Sequence, residues 1–283
     1  MYFYSYYDYL IKSNIELFNF NPATEIIGLR PIYVYYIEYD PQKFIKNPEF
    51  EYVCYEDVIF ELRIVEMTIN IISMDTTCFQ EVIRNKPFAC FCNLDNRFVL
   101  HASAIISNNS VIAFCGAKGA GKTTLSLFLS SNYMLFTDDQ LCLSLEDEKT
   151  NAISSDNIQK ITENTASILS VKDRCNNYNK QYKKYIYRSS NYTDTLTKPL
   201  VHIFILRRNI DYDYYVEKIR DPAHKMSHII SNSVGKKSYD DIQKNRNINN
   251  FISRINMEYL YYDDVKNCGE QLFRHINRIA QEG

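Results

Sequence analysis

Gly116-Ala117-Lys118-Gly119-Ala120-Gly121-Lys122-Thr123 is the stretch that decides the fold class, because it fits the phosphate-binding pattern GxxxxGK[ST] without a mismatch. The chain has 283 residues and only seven glycines, three of them within these six positions from Gly116 to Gly121. An average chain of this length carries roughly 20, so a glycine-poor sequence concentrates them where backbone geometry requires them. A loop that wraps a polyphosphate turns successive backbone N–H groups inward, and glycine supplies the positive φ angles and the absent side chain. Lys122 then reaches the β- and γ-phosphates, Thr123 sets its hydroxyl on Mg²⁺, and the following helix turns its positive end toward the anion. Thr124 extends the phosphate-contacting run by one residue.

The flanks agree with the motif. Val111-Ile112-Ala113-Phe114-Cys115 is an apolar run of strand length, and Leu125-Ser126-Leu127-Phe128-Leu129 continues as an apolar helix. Ser130-Ser131-Asn132 predicts a helix stop with Asn132 in the left-handed position. Tyr133-Met134-Leu135-Phe136-Thr137 then reads as a buried strand ending in Asp138-Asp139. Fifteen residues separate Lys122 from Asp138, so the helix returns directly to an acidic strand, an order found in a minority of phosphate-loop folds. Adjacent carboxylates on alternate faces of a strand can divide the work, one holding metal and one taking a proton from an attacking hydroxyl. An Asp-Asp pair also serves simply to cap a turn.

Upstream, Arg97-Phe98-Val99-Leu100-His101-Ala102-Ser103-Ala104-Ile105-Ile106 reads as one strand, and Asn108-Asn109 turns it back. A two-residue Asn-rich link between apolar runs predicts a hairpin, so the strand entering the loop has an antiparallel neighbour and the sheet is mixed α/β rather than purely parallel. His101 is expected on that neighbour, where a histidine serves either in a site or as a packed core residue.

The run Leu100-His101-Ala102-Ser103-Ala104, the glycine loop and Thr137-Asp138-Asp139 together resemble the catalytic domain of HPr serine kinases and their shorter relatives, which share a fold with the ATP-dependent phosphoenolpyruvate carboxykinases. Among these the chain is most similar to HPr-kinase-like enzymes associated with ribosomally made peptides, including lasso-peptide kinases that phosphorylate a serine hydroxyl. The likeness is strongest over about residues 87 to 143 and extends loosely through Lys183-Lys184-Tyr185-Ile186-Tyr187, Pro199 to Leu206 and the last helix. It implies ATP and Mg²⁺ as cofactors, Asp138 as general base, Asp139 as metal-associated acid beside Thr123, and His101 beside the reaction centre. It also implies a peptide or small-protein acceptor carrying serine, and a homo-oligomer, since relatives assemble into multimers. Two departures matter. The family loop usually has serine where this chain has Lys118, and no glycine lies between Gly121 and Gly235, so the Arg- and Gly-containing signature of the bifunctional kinase/phosphorylases is absent. HPr as substrate, and phosphorolysis, are put in doubt by that absence.

Composition bounds the rest. A hydrophobic content of 46% supports a substantial core, and a net charge of −2 argues against a dedicated nucleic-acid binder. The eight cysteines form no CxxC pair and are expected as free thiols, with Cys90 and Cys92 on one strand face. The first residues lack the features of a secretion signal and no run of about 18 apolar residues occurs, so the expectation is a soluble, cytoplasmic protein without a membrane partner.

Organisation is expected to divide near residue 90. Residues 1–90 alternate β-rich runs, such as Pro31 to Ile37 and Val58 to Ile64, with polar turns, and read as a small mostly-β lid, scaffold or peptide grip. Residues 91–283 form the HPr-kinase-like catalytic domain. Within it Lys180, Lys183, Lys184 and Arg188 supply either a charge for phosphoryl transfer or a solvated basic face. Asp221-Pro222-Ala223 starts a helix carrying His224 and His228 on one side, without a third residue at metal-ligand spacing. After Asp263-Asp264, Val265, Cys268, Leu272, Ile276 and Ile279 form the apolar stripe of a closing helix. The function expected is a kinase acting on serine; a nucleotide-binding regulator without an acceptor, and a kinase of HPr or of a small molecule, remain as alternatives.

Overall fold

The structure is a computed structural model that describes residues 1–18, 20–23, 29–80, 82–145, 150–155, 158–179, 183–192, 197–208, 214–235 and 242–282. The chain forms two compact units, residues 1–99 with 234–238, and residues 100–233 with 239–283.

The first unit is built on a sheet of β1 (Tyr2–Tyr6), β2 (Tyr9–Ser13), β3 (Asn21–Pro22), β4 (Arg30–Glu38), β5 (Glu51–Cys54), β6 (Ile59–Arg63) and β7 (Thr68–Ser73) in the order β3-β1-β2-β4-β7-β6-β5. Alternation of buried and wetter residues along β1 and β4 is the period-2 pattern of strands with one face in a core. That core is aromatic: Tyr6 and Tyr9 meet Phe88 edge-on, at centroid distances of 5.0 and 6.1 Å. Phe88 belongs to α1 (Lys86–Leu94), which opens on Pro87 in its first turn. Cys90 and Cys92 lie on this helix, not on the strand face expected from their spacing, because the apolar run is continued by residues packed on a helical period. β8 (Arg97–Leu100) follows.

In the second unit β9 (Ala102–Ser107) and β10 (Ser110–Cys115) form the expected hairpin, with Asn108 and Asn109 at φ of 46° and 68°. Both turn residues therefore take the left-handed conformation that a two-residue hairpin needs. α2 (Lys122–Leu129) leads to β11 (Met134–Thr137), then β12 (Leu141–Ser144), β13 (Asn151–Ile153), β14 (Ile158–Thr162), α3 (Glu163–Ile168), β15 (Asn176–Asn179) and β16 (Lys184–Arg188). β17 (Thr197–Arg208), β18 (Tyr214–Lys218), α4 (Pro222–Ser231), α5 (Ile242–Arg254), β19 (Asn256–Tyr262) and α6 (Val265–Glu282) complete it. β17 is the axis. It runs parallel to β10 on one side and to β19 on the other, while its first residues pair with β13. β9 pairs antiparallel with β10 and β11, so the sheet is mixed. β14, β16 and β15 form a separate antiparallel sheet.

α2 and α6 cover one face, where Leu125 and Leu129 meet Phe114, Phe204, Leu260 and the α6 stripe Val265, Cys268, Leu272 and Ile276. Each such side chain contributes about 1.5–3 kcal/mol by leaving water, which fixes α2, and with it the loop, against the sheet. Three local expectations differ. The 97–106 run is two strands broken at His101. α2 ends at Ser130, whose N–H returns to the Ser126 and Leu127 carbonyls, and Asn132 is not left-handed. Asp138 and Asp139 lie in a bend beyond β11, with Asp139 at φ 68°, so they are not alternate residues of a strand.

Candidate active site

The loop between β10 and α2 turns on Gly121, at φ 96°. A Cβ there would come within 2.3 Å of the Tyr262 hydroxyl, so glycine is required both for the left-handed backbone and for the approach of β19. Tyr262 in turn donates to the Ala120 carbonyl at 2.7 Å and pins the loop to the end of β19. Arg208, at the end of β17, lies over the Tyr262 ring at 5.7 Å and brings a cation beside the loop. No local pattern marks Tyr262 or Arg208, since strand pairing alone brings them here.

Lys122 is buried at the start of α2, and its ammonium donates to the Gly116 carbonyl at 2.8 Å and the Ala117 carbonyl at 3.3 Å. Burial pushes its pKa down, opposed by the nearby Asp139 and Asp138 carboxylates. Thr123 donates its hydroxyl to Asp138 Oδ1 at 2.9 Å. Thr124 turns away and shares a hydrogen bond with Thr165 at 2.9 Å, so its side chain faces α3. Lys118 stands exposed on the outer side of the loop with Ala117 and Gly119.

The two aspartates occupy different surroundings. Asp138 is buried, and its pKa is raised to about 6, first by burial and then by the charge of Asp139, against the Thr123 hydrogen bond. Asp139 is half-exposed, and Nδ1 of His101 sits 2.8 Å from its carbonyl oxygen and 3.2 Å from its Oδ1. Enclosing protein works against ionisation of Asp139, but the His101 contacts and the Lys184 and Lys160 charges outweigh it and hold the carboxyl below its usual range. One carboxyl thus titrates near neutrality while its neighbour stays ionised.

Asn232, which caps α4, ties the entry of the glycine loop to the strand break at His101. Its side-chain Oδ1 accepts the Gly116 N–H at 3.1 Å, and its carbonyl accepts the His101 N–H at 2.6 Å. Its own Nδ2 donates to the His228 carbonyl at 2.8 Å, which holds the amide in place. Of the basic cluster, Lys184 at the start of β16 acts electrostatically on Lys122, Asp138 and Asp139. Lys183 precedes it in a left-handed turn, Arg188 lies four residues on, and Lys180 falls outside the described residues. His228 bonds Tyr259 at 2.8 Å and His224 lies near Asp221, so the α4 histidines stand apart from the loop's contacts.

Mg²⁺ takes oxygen ligands and is commonly held through one or two carboxylates together with substrate phosphates. The Thr123 hydroxyl beside Asp138, with the ionised Asp139 next to it, is a donor set of that kind. Among the described residues no group of three or more His, Cys, Asp or Glu side chains is placed to hold an ion by itself, and no helix is long and apolar enough to cross a membrane.

Fold and site define a mixed α/β protein whose glycine loop, lysine and paired carboxylates meet at the ends of parallel strands. No family model and no curated protein matches the chain. Among solved structures it is similar to the HPr(Ser) kinase/phosphatase from Coxiella burnetii, at 13% identity and a TM-score of 0.34, over 65% of this chain and 93% of that one. So distant a likeness adds nothing to what the site's own geometry supports.

Proposed function

We propose that the protein is an ATP- and Mg²⁺-dependent phosphotransferase that moves the γ-phosphoryl group to a serine hydroxyl of a peptide or small protein. The observation that carries this reading is the pairing of a loop lysine and Thr123 with two carboxylates of opposite tendency, Asp138 near neutrality and Asp139 ionised. The loop N–H groups and Lys122 hold the triphosphate. Thr123 and Asp139 hold Mg²⁺, which when bound neutralises charge on the phosphate oxygens. Asp138 accepts the proton of the acceptor hydroxyl as its oxygen bonds to the γ-phosphorus and the bond to the departing ADP oxygen breaks. Lys184, whose charge acts on both carboxylates, stabilises charge on the moving group. Because Thr123 donates to Asp138, the base sits one hydroxyl away from the metal position.

The serine acceptor, in particular one on a ribosomally made peptide of lasso type, rests on the sequence resemblance over residues 87 to 143. Incubation with γ-labelled ATP, Mg²⁺ and separate pools of serine peptides, HPr and small hydroxylated metabolites tests it. Label on the peptide pool is the expected outcome. Label only on HPr or a metabolite overturns the acceptor, and nucleotide binding with no labelled product overturns the transferase reading in favour of a regulator.

A further inference from the structure

At the opposite ends of β17 and β19 from the glycine loop lies a cleft of about 520 Å³, of the size that takes a small organic ligand. Its floor is a buried chain of polar groups. Glu258 Oε2 accepts from His275 Nε2 at 2.8 Å, and Arg278 meets His275 Nδ1 at 3.2 Å. Arginine only donates, so Nδ1 is the acceptor there and the ring's proton lies on Nε2, toward Glu258. The ring thus links Arg278 to the carboxylate. His202 Nε2, also buried, approaches Glu258 Oε2 at 3.4 Å without hydrogen-bond geometry and has no hydrogen-bond partner.

The rim is cationic. Lys218, Arg220 and Arg278 are exposed on it, and Lys218 and Arg220 have no ion-pair or hydrogen-bond partner among the described residues. Lys225 also lines the cleft but donates to the Ile255 carbonyl at 2.7 Å, at the end of α5. Glu258 is the single carboxylate among the lining residues and is already engaged by His275. Like charges gathered around a concave, polar surface repel one another unless an anion sits between them.

We propose that this cleft is a second ligand site, which binds a small, multiply charged anion bearing phosphate or carboxylate groups. The guanidinium of Arg278 and the free Lys218 and Arg220 grip the charged groups above the floor of Glu258, His275 and His202. The site stands independently of the phosphotransferase reading.

The test uses the full chain with Lys122→Ala, which weakens competition from the glycine loop, titrated by calorimetry with pyrophosphate and, separately, with citrate. At least one probe is expected to bind saturably and to shift the ring-proton NMR signals of His202 and His275. The exposed double variant Arg220→Gln/Arg278→Gln, checked for an unchanged melting curve, is expected to bind about tenfold or more weakly. Lys218→Gln serves in its place if the double variant melts early. Binding of pyrophosphate alone assigns a phosphate ligand, and of citrate alone a carboxylate ligand. Absence of saturable binding to either, or affinity unchanged by the rim substitutions, overturns the proposal.

Discussion

Asp138 shows most directly how one residue's surroundings set its chemistry. Its folded pKa of about 6 lies above the ordinary aspartate value of about 3.9, so the folded state holds the proton more tightly than the unfolded state. Stability contributed by this group therefore falls as pH rises from about 4 to about 6, and the ionised form costs the fold about 3 kcal/mol above that window. Asp138→Asn keeps an oxygen for the Thr123 hydroxyl and removes the charge. We expect it to raise the melting temperature at pH 7.5, to lose that advantage near pH 4, and to lower transfer by about 10²-fold or more while nucleotide binding persists. Melting curves at the two pH values and single-turnover transfer check this, and full activity in the variant removes Asp138 from the mechanism. In the parent, kcat/KM is expected to climb with pH up to about 6 and then level. Lys122→Ala should instead weaken nucleotide binding by roughly tenfold to a hundredfold, the loss of one charge-assisted contact, readable by calorimetry.

At the scale of elements, α4 acts on the site through the residue that caps its C-terminus, Asn232. Asn232→Ala leaves the Gly116 N–H, at the entry to the loop, without its acceptor, at a cost of about 1–3 kcal/mol. The backbone carbonyl that takes the His101 N–H remains. The expected signature is a weaker affinity for nucleotide with Asn232→Ala; an affinity equal to the parent's in that variant would count against positioning of the loop through that oxygen. Nothing in the sequence near Asn232 announces this role. The strand, loop and helix at 110–129 were legible because hydrophobic runs, glycine geometry and helix periodicity are local. The hairpin at Asn108-Asn109 was legible for the same reason. Tyr262 and Arg208 reach the loop only because β17 lies parallel to β10 on one side and to β19 on the other, pairings between residues 89–90 and 54 positions apart in the chain, and Asn232 reaches it from the end of α4. Lys184 was visible as one of a basic cluster, but what sets it apart from Arg188 on the same strand is its place at the start of β16, where its charge acts on both carboxylates. His101 and the aspartate pair were expected on strands and lie where strands break, since an embedded small-residue run and an acidic end do not show where a strand stops.

The whole molecule depends on a chain that returns to its first unit after most of the second has been built. Val234–Ser238 belongs to the unit of residues 1–99. The Val234 N–H donates to the Val99 carbonyl at 2.8 Å, and Asn93 Nδ2 donates to the Val234 carbonyl at 2.7 Å. Gly235 follows at φ 92°, and a Cβ there would lie 2.6 Å from Asn93 Nδ2 and 2.9 Å from the Cys90 backbone nitrogen. The Asn93 amide can swing aside, but the Cys90 nitrogen is fixed within α1, so the crowding cannot be relieved by a side chain alone. Gly235→Ala therefore combines about 1 kcal/mol of left-handed strain with displacement of packed backbone, and a total loss of about 2–4 kcal/mol is expected. Urea unfolding measures it as a lower midpoint. The substitution lies in the first unit, and the contacts that hold the glycine loop come from Asn232, Tyr262 and Lys122 in the second. Nucleotide affinity of the folded variant should accordingly match the parent, and a midpoint equal to the parent's would mean that the 234–238 segment does not hold the first unit together.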